Sequence, residues 1–182
     1  MKRLKELLKD RSATYVEKTP EDVYRDVASD EEVMLSPEEV GAIGGMESQH
    51  NKFHKPIQGG SARGLFQFQP RTAEDLIEGS SESLEDMNTQ AELMKAYLKK
   101  NKSEDLKDAY LKHNLGRSGA KRFKEADDSD LAEDAISGPS IRGNKNLYEG
   151  KTVEEIKKQL KEKLEKEKDK VRPLSILDLF KE

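Results

Sequence analysis

The sequence predicts an all-α protein built from several short helices. Apolar residues recur every three to four positions in three segments, from about residue 88 to 100, from 103 to 115 and from 152 to 171. This is the spacing of helices that bury one face. Ser36 and Pro37 predict the start of a further helix, because serine caps free N–H groups and proline suits the first helical position.

The composition limits the classes of function. The chain has 182 residues, enough for one ordinary domain and too few for two. Charged residues make up 38% and hydrophobic residues only 33%, so we expect part of the length to be solvated helix outside the core. A net charge of −4 with interleaved signs predicts no nucleic-acid partner. The absence of cysteine excludes disulfides and thiol nucleophiles.

No segment predicts stable insertion into a membrane, because none reaches the run of about eighteen apolar residues that a spanning helix needs. The start MKRLKELLKD is basic but lacks the apolar centre of a signal peptide. We therefore expect synthesis in the cytoplasm without export by the usual route.

A charged segment, residues 1–35, precedes the main domain. It predicts two short helices joined by a loop at Thr19 and Pro20. Two interpretations are open for this N-terminal arm. Its helices either pack on the domain as ordinary amphipathic elements or dock onto a larger assembly.

A second charged segment, residues 151–182, follows the main domain. It predicts a long helix from Thr152 to Val171, with an apolar stripe that ends at Leu164. The second half of this helix is therefore expected to project into solvent. The closing apolar stretch PLSILDLF is expected to dock on the core or on a partner.

The stretch from Val40 to Ala73 carries the candidate chemistry. Its first part predicts a helix, since Ser36, Pro37 and Glu39 together form a start with a capping box. Glu47 falls near the end of this helix, where the helix dipole disfavours negative charge. The dipole and any burial would raise the pKa of its carboxyl group, as a general acid requires. An exposed glutamate at a fraying helix end is the alternative interpretation.

The loop from Gln49 to Gly60 contains His50 and His54, four positions apart. On a helix this spacing could direct two imidazoles to one zinc ion. No glutamate stands between them as in the metalloprotease motif, so solvated or packed histidines are the better interpretation and we predict no metal site. A small hairpin near residues 57 to 69 is compatible with the prediction of an all-α fold.

The segment SARGLFQFQP, which begins at Ser61, is suited to contact with sugars. Its small residues let a sugar ring or another backbone approach closely, and Phe66 adds an apolar surface. The amide of Gln67 offers a donor and an acceptor for the acetamido and hydroxyl groups of amino sugars. Pro70 then starts another helix.

Three motifs in this order resemble a known family, the lytic transglycosylases of the goose-type lysozyme superfamily, which cut the glycan strands of peptidoglycan. That family has a helix ending in Glu-Ser, a Gly-Ala-x-Gly-Leu-Met-Gln segment before a Pro-x-Thr-Ala helix start, and a later Ala-Tyr-Asn-x-Gly motif. This chain has Glu47-Ser48, then SARGLFQFQPRTA, then AYLKHNLG. It departs from the family at Gln58, where the family has serine, and at Ser61, where the family has glycine.

The resemblance implies a lysozyme-like catalytic domain, residues 36–150, with a cleft between helices and no cofactor. It implies Glu47 as the catalytic residue. His113 stands in place of the tyrosine of the family motif and keeps a flat ring with a polar edge. Asn114 either holds substrate or caps its helix. The residues expected to bind substrate are Ser61, Phe66, Gln67, Tyr110, His113 and Asn114.

The run HNLGRSGAKRF resembles the form of this motif found in bacteriophage particle proteins, and GNKNLYEGKTVEEI is similar to a segment that often closes the same domains. This likeness implies glycan strands and other virion proteins as partners. It fits a wall enzyme that travels in a virion or is released when the host membrane opens. We therefore expect action on the cell wall or in the periplasm.

The expected reaction is cleavage of the bond between N-acetylmuramic acid and N-acetylglucosamine, with Glu47 as acid and then base. The resemblance implies the muramic acid 6-hydroxyl as nucleophile and a 1,6-anhydro product. From Ser48 to Thr72 the chain has no Asp or Glu, whereas a hydrolase needs a second carboxylate. The open alternatives are a hydrolytic lysozyme or endolysin of the same fold, and a non-enzymatic virion or wall-binding protein.

Overall fold

The computed structural model describes residues 18–54, 60–136 and 145–171. These residues are mostly helical, which confirms the predicted all-α class. No helix among them has the length and apolar character needed to cross a bilayer. In chain order the helices are α1 (Pro20–Ala28), α2 (Pro37–Ser48), α3 (Pro70–Leu76), α4 (Met87–Asn101), α5 (Leu106–Glu125), α6 (Ala132–Ile136), α7 (Lys145–Tyr148) and α8 (Val153–Val171).

Helix α2 is the central element of the fold. It begins with the predicted capping box, in which the Ser36 hydroxyl accepts from the Glu39 N–H at 3.3 Å and the Glu39 carboxylate accepts from the Ser36 N–H at 3.0 Å. Every residue from 40 to 45 is buried, so the helix is enclosed rather than amphipathic. It ends at Ser48, and Gln49 follows in the left-handed region with φ of 54°.

Two neighbouring helices approach α2 closely at its glycines. A Cβ atom at Gly41 would lie 2.6 Å from a methyl carbon of Val171 at the end of α8. A Cβ atom at Gly44 would lie 2.7 Å from the hydroxyl oxygen of Tyr24 in α1. Both distances are shorter than van der Waals contact, so glycine lets α1 and α8 pack directly against the α2 backbone.

The described part of the predicted N-terminal arm belongs to the core. Val23, Tyr24 and Val27 of α1 are at most 1% exposed and lie in the same cluster as the apolar residues of α2 and α4. Thr19 caps this helix with its own capping box. The charge content of the chain therefore changes near residue 36, but the hydrophobic core continues across this position. Residues 1–17 lie outside the described residues.

Helix α8 has the predicted apolar stripe, and its four members, Val153, Ile156, Leu160 and Leu164, are buried. The prediction that its second half projects into solvent is wrong. Val171 packs against Gly41, and the Lys168 ammonium lies 3.5 Å from the Glu39 carboxylate. One apolar and one charged contact therefore hold α8 against α2 where the apolar stripe has ended. The PLSILDLF segment lies outside the described residues.

Helices α4 and α5 form the other wall of the core. The positions predicted to face inward are buried, namely Leu93, Met94, Tyr97, Leu98, Leu106, Tyr110 and Leu111. Helix α5 begins at Leu106, not at Ser103 as predicted, because Asp105 caps it by accepting the Asp108 N–H at 2.7 Å. Gly116 interrupts α5 with a kink, at φ of 70° and ψ of 167°.

The turn from residue 63 to 68 is attached to α4 by hydrogen bonds of the Gln90 side chain. It contains one antiparallel bridge, between Arg63 and Phe68, within the region where a hairpin was considered. The Phe66 N–H donates to the Gln90 side-chain oxygen at 2.9 Å, and the Gln90 amide donates to the Leu84 carbonyl at 2.6 Å. Gly64 has φ of 80°, and a Cβ there would lie 2.1 Å from the Leu84 carbonyl oxygen. Glycine is therefore required for this turn to reach α4.

Candidate active site

A cleft of about 630 Å³ opens between the end of α2, the turn at residues 63–68 and the middle of α5. The motifs that resemble the transglycosylase family meet there, although they are far apart in sequence. Five of the six residues predicted to bind substrate line this cleft together with Glu47; these five are Ser61, Gln67, Tyr110, His113 and Asn114.

Glu47 is half-buried in the wall of the cleft, one residue before the end of α2. Burial raises the pKa of its carboxyl group from the ordinary 4.5 to about 8. Among the described residues no hydrogen bond or ion pair supports the ionised form, and the helix C-terminus also disfavours it. The carboxyl group is therefore protonated at neutral pH, as the sequence predicted for a general acid.

Three buried tyrosines lie near Glu47, one each from α4, α5 and α7. Burial raises the pKa of Tyr97, Tyr110 and Tyr148, and negative charge on Glu47 raises each pKa further. Their hydroxyl groups therefore stay neutral and can donate hydrogen bonds. The sequence assigned Tyr97 to the core only, and no local pattern in the sequence distinguished Tyr148 as a site residue.

Asn114 is oriented by Tyr148, whose hydroxyl donates to the Asn114 side-chain oxygen at 2.8 Å. This bond fixes the orientation of the Asn114 amide. The side chain is half-buried and lines the cleft. This contact joins α5 to α7 beside Glu47.

His113 connects α5 to the turn at residues 63–68. Its Nε2 donates to the Phe66 carbonyl oxygen at 2.8 Å, so Nδ1 is the unprotonated nitrogen of the ring. The ring lies edge-on to Phe68 and Tyr97, with centroid distances of 5.2 and 5.1 Å. Burial lowers the pKa of His113, which keeps the imidazole neutral. It therefore lines the cleft mainly as a rigid, uncharged support.

The Gln67 side chain is fixed by hydrogen bonds to two backbone carbonyl groups. Its backbone has φ of 50°, and its side-chain nitrogen donates to the carbonyl oxygens of Gly64, at 2.8 Å, and His54, at 3.2 Å. The amide oxygen is then the group left to accept a hydrogen bond from a ligand. Ser61 lies at the exposed rim of the same cleft.

The prediction that Phe66 binds substrate is wrong. Its side chain is 0% exposed and packs between Tyr24 and Phe68, with centroid distances of 6.2 and 6.4 Å. The left-handed backbone of Gln67 turns the chain so that the two neighbouring phenylalanines enter the core. Phe66 therefore supports the floor of the cleft from behind.

Glu47 is the only acidic residue among the described residues that line the cleft. The sequence has no Asp or Glu between Ser48 and Thr72. The described residues of α4 and α5 that line the cleft include no Asp or Glu either. The two internal stretches without description, 55–59 and 137–144, contain no Asp or Glu in the sequence. Its described lining residues instead include two cations, Lys112 and Arg117, which the sequence did not single out.

The two histidines considered for zinc have other contacts. The His50 Nδ1 shares a hydrogen bond of 2.8 Å with the Tyr24 hydroxyl, and its Nε2 lies 3.4 Å from a Glu167 carboxylate oxygen. The backbone of His54 receives the Gln67 amide. Within the described ranges no group of three or more His, Asp or Glu side chains is placed to hold a metal ion.

Comparison with known proteins gave no match to any family model, curated protein or solved structure.

The buried carboxyl group should leave a signature in the pH dependence of stability. An unfolded Glu47 loses its proton near pH 4.5, but the folded protein holds it to about pH 8. Between these values the folded state binds more protons, so the free energy of unfolding falls as pH rises. Relative to Glu47→Gln, we expect the wild type to lose up to about 1.4 kcal/mol per pH unit in this interval.

Urea denaturation of both proteins at closely spaced pH values measures this difference. Glu31→Gln, which changes an exposed glutamate outside the cleft, is the matched control and should follow the wild type. Parallel stability curves for the wild type and Glu47→Gln would show that the Glu47 carboxyl group titrates normally.

Proposed function

We propose that this protein is a peptidoglycan lytic transglycosylase with Glu47 as its single acid and base. The observation that carries the proposal is a protonated carboxyl group in a sugar-sized cleft without a second carboxylate among the described lining residues. Most retaining and inverting hydrolases need such a second group. A reaction whose nucleophile belongs to the substrate does not.

In the proposed first step, Glu47 donates its proton to the oxygen that links N-acetylmuramic acid to N-acetylglucosamine. The bond from this oxygen to the muramic acid C1 breaks with its electron pair on the oxygen, and the glucosamine side leaves with a free hydroxyl. The sugar left behind carries positive charge shared between C1 and the ring oxygen. The newly formed Glu47 carboxylate lies beside this charge and stabilises it.

In the second step, the 6-hydroxyl of the same muramic acid attacks C1. Glu47 accepts the proton of that hydroxyl and returns to its starting form, and a 1,6-anhydro ring is closed. No water enters the product. A pKa of about 8 suits both steps, because the group is protonated at rest and still basic after it has donated.

The polar groups around Glu47 supply complementary contacts for an amino sugar. Gln67 offers an amide acceptor, and Asn114 brings a second polar amide to the cleft; each side chain is fixed by a hydrogen bond to the protein. Fixed groups lose little entropy on binding, so they can orient an acetamido group and the ring hydroxyls. The buried hydroxyl of Tyr110 can donate toward the reacting centre.

We further propose, from the likeness of HNLGRSGAKRF to phage particle proteins, that the enzyme is carried in a virion and opens the wall locally. Mass spectrometry of purified particles checks this location. Recovery of the protein from lysates alone would favour release by a lysis pathway instead.

The two alternative functions, a hydrolytic lysozyme and a non-enzymatic wall-binding protein, require different groups in the cleft. A hydrolytic lysozyme would need a carboxylate opposite Glu47, and no described residue of the cleft supplies one. A non-enzymatic wall-binding protein has no use for a buried carboxyl group that costs stability as pH rises. Neither alternative is favoured by a specific contact in the site.

Replacement of Glu47 by Gln should abolish activity without loss of the fold. Gln keeps the shape of the side chain but cannot donate a proton, so we expect the rate of wall clearing to fall at least about a hundredfold. The apparent kcat/KM of the wild type should also fall as pH rises through 8, where Glu47 ionises in the free protein.

Turbidity of a peptidoglycan suspension measures the rate, and circular dichroism checks that the variant is folded. The control variant Glu31→Gln should clear the wall at the wild-type rate. A folded Glu47→Gln protein that retains most of the activity would remove Glu47 from the mechanism.

A further inference from the structure

Arg117 lies at the edge of the cleft, directly after the kink at Gly116 in α5. It is exposed, and its charge acts on the buried Tyr97 hydroxyl, whose pKa it lowers against the effect of burial. Arg117 and Tyr97 both line the cleft. The proposed acid and base chemistry at Glu47 makes no use of it.

The guanidinium is held by neutral acceptors. Its Nε donates to the Asn101 side-chain oxygen at 2.8 Å, and one terminal nitrogen donates to the Lys100 carbonyl oxygen. Asn101 is itself fixed, because its amide nitrogen donates to the Tyr97 carbonyl oxygen at 2.8 Å. The end of α4 thus orients Arg117 without reducing its positive charge.

Lys112, the other cation among the described lining residues, is paired with a carboxylate. Its ammonium lies 2.6 Å from a carboxylate oxygen of the buried Asp108 and also donates to the carbonyl oxygens of Asn101 and Lys102. These three contacts use all of its N–H groups and balance its charge. Within residues 18–54, 60–136 and 145–171, no carboxylate pairs with Arg117 in the same way.

An arginine with this arrangement is suited to binding a carboxylate. Its other terminal nitrogen carries two N–H groups beyond the two hydrogen bonds that hold the side chain. Guanidinium groups bind carboxylates with paired, charge-assisted hydrogen bonds. The protein as a whole has a net charge of −4, so the positive charge at this edge is a local property of the cleft.

We propose that Arg117 binds a carboxylate carried by the glycan strand and so selects strands with acidic substituents over uncharged amino-sugar polymers. This inference rests on the proposed function, because it takes the cleft to be the glycan site. Arg117 is then a specificity residue, and Glu47 remains the residue that performs the chemistry.

The test measures binding by calorimetry in the Glu47→Gln background, so that no ligand is cleaved. Three ligands are compared: a glycan fragment with peptides that have free carboxylates, the same fragment with these carboxylates amidated, and an uncharged N-acetylglucosamine oligomer. Arg117→Gln should weaken binding of the first ligand roughly ten- to a hundredfold. It should leave the other two unchanged, which also shows that the cleft remains folded.

Two further variants test the chemistry of the contact. Arg117→Lys keeps the charge but loses the paired geometry, so it should restore only part of the affinity. Lys121→Gln removes one charge from an exposed position on the same helix, where Lys121 lies 3.8 Å from Glu125, and should change none of the three affinities.

The outcomes separate this inference from the proposed activity. Equal loss for all three ligands, or no loss for any, overturns the role of Arg117 even if the wild type cleaves peptidoglycan. Selective loss for the acidic ligand supports that role even if no cleavage is found and the proposed activity fails. If no ligand binds before Arg117 is changed, both proposals are overturned.

Discussion

The burial of the Glu47 carboxyl group without a compensating charge is the constraint on which the rest of the site depends. A carboxylate in this position would lose water and gain no hydrogen bond or cation among the described residues, so the neutral acid is the stable form. The surrounding tyrosine hydroxyls are polar but uncharged and preserve this state. A cation such as Arg117 is kept at the edge of the cleft by neutral acceptors of α4. The same arrangement lowers the free energy of unfolding as pH rises from about 4.5 to about 8, which is the cost expected of the proposed proton donor.

The fold maintains this arrangement by enclosing α2 on several sides. Glycines bring α1 and α8 against its backbone, and a Cβ atom at Gly45 would lie 2.5 Å from a Glu167 carboxylate oxygen. Beyond the end of α2, His50 contacts both the Tyr24 hydroxyl and Glu167. The end of the helix that carries Glu47 is thus held by residues from both flanking segments. The charge-rich segments that contain α1 and α8 therefore help to position the site, although their composition is typical of solvated helices.

Local chemistry made much of this structure predictable, and long-range packing explains the rest. The capping box at Ser36 specifies the start of α2 and so the place of Glu47 near its end. Contacts between distant segments leave no such local pattern, so the pairing of Tyr148 with Asn114 could not be predicted. Phe66 was misassigned because its direction depends on how the turn packs on α4, which spacing does not reveal. The second half of α8 was misassigned because one ion pair and one valine, not a stripe, attach it to α2.

The central claim is that the nucleophile comes from the substrate and that Glu47 acts alone. Digestion of purified peptidoglycan in water enriched in heavy oxygen tests this most directly, with the products analysed by mass. We predict 1,6-anhydro products, each lighter by one water than a hydrolysis product and without heavy oxygen from the solvent. Products that carry one solvent oxygen at a new reducing end, formed under conditions where the anhydro ring is stable, would contradict it and assign the cleft to a hydrolase.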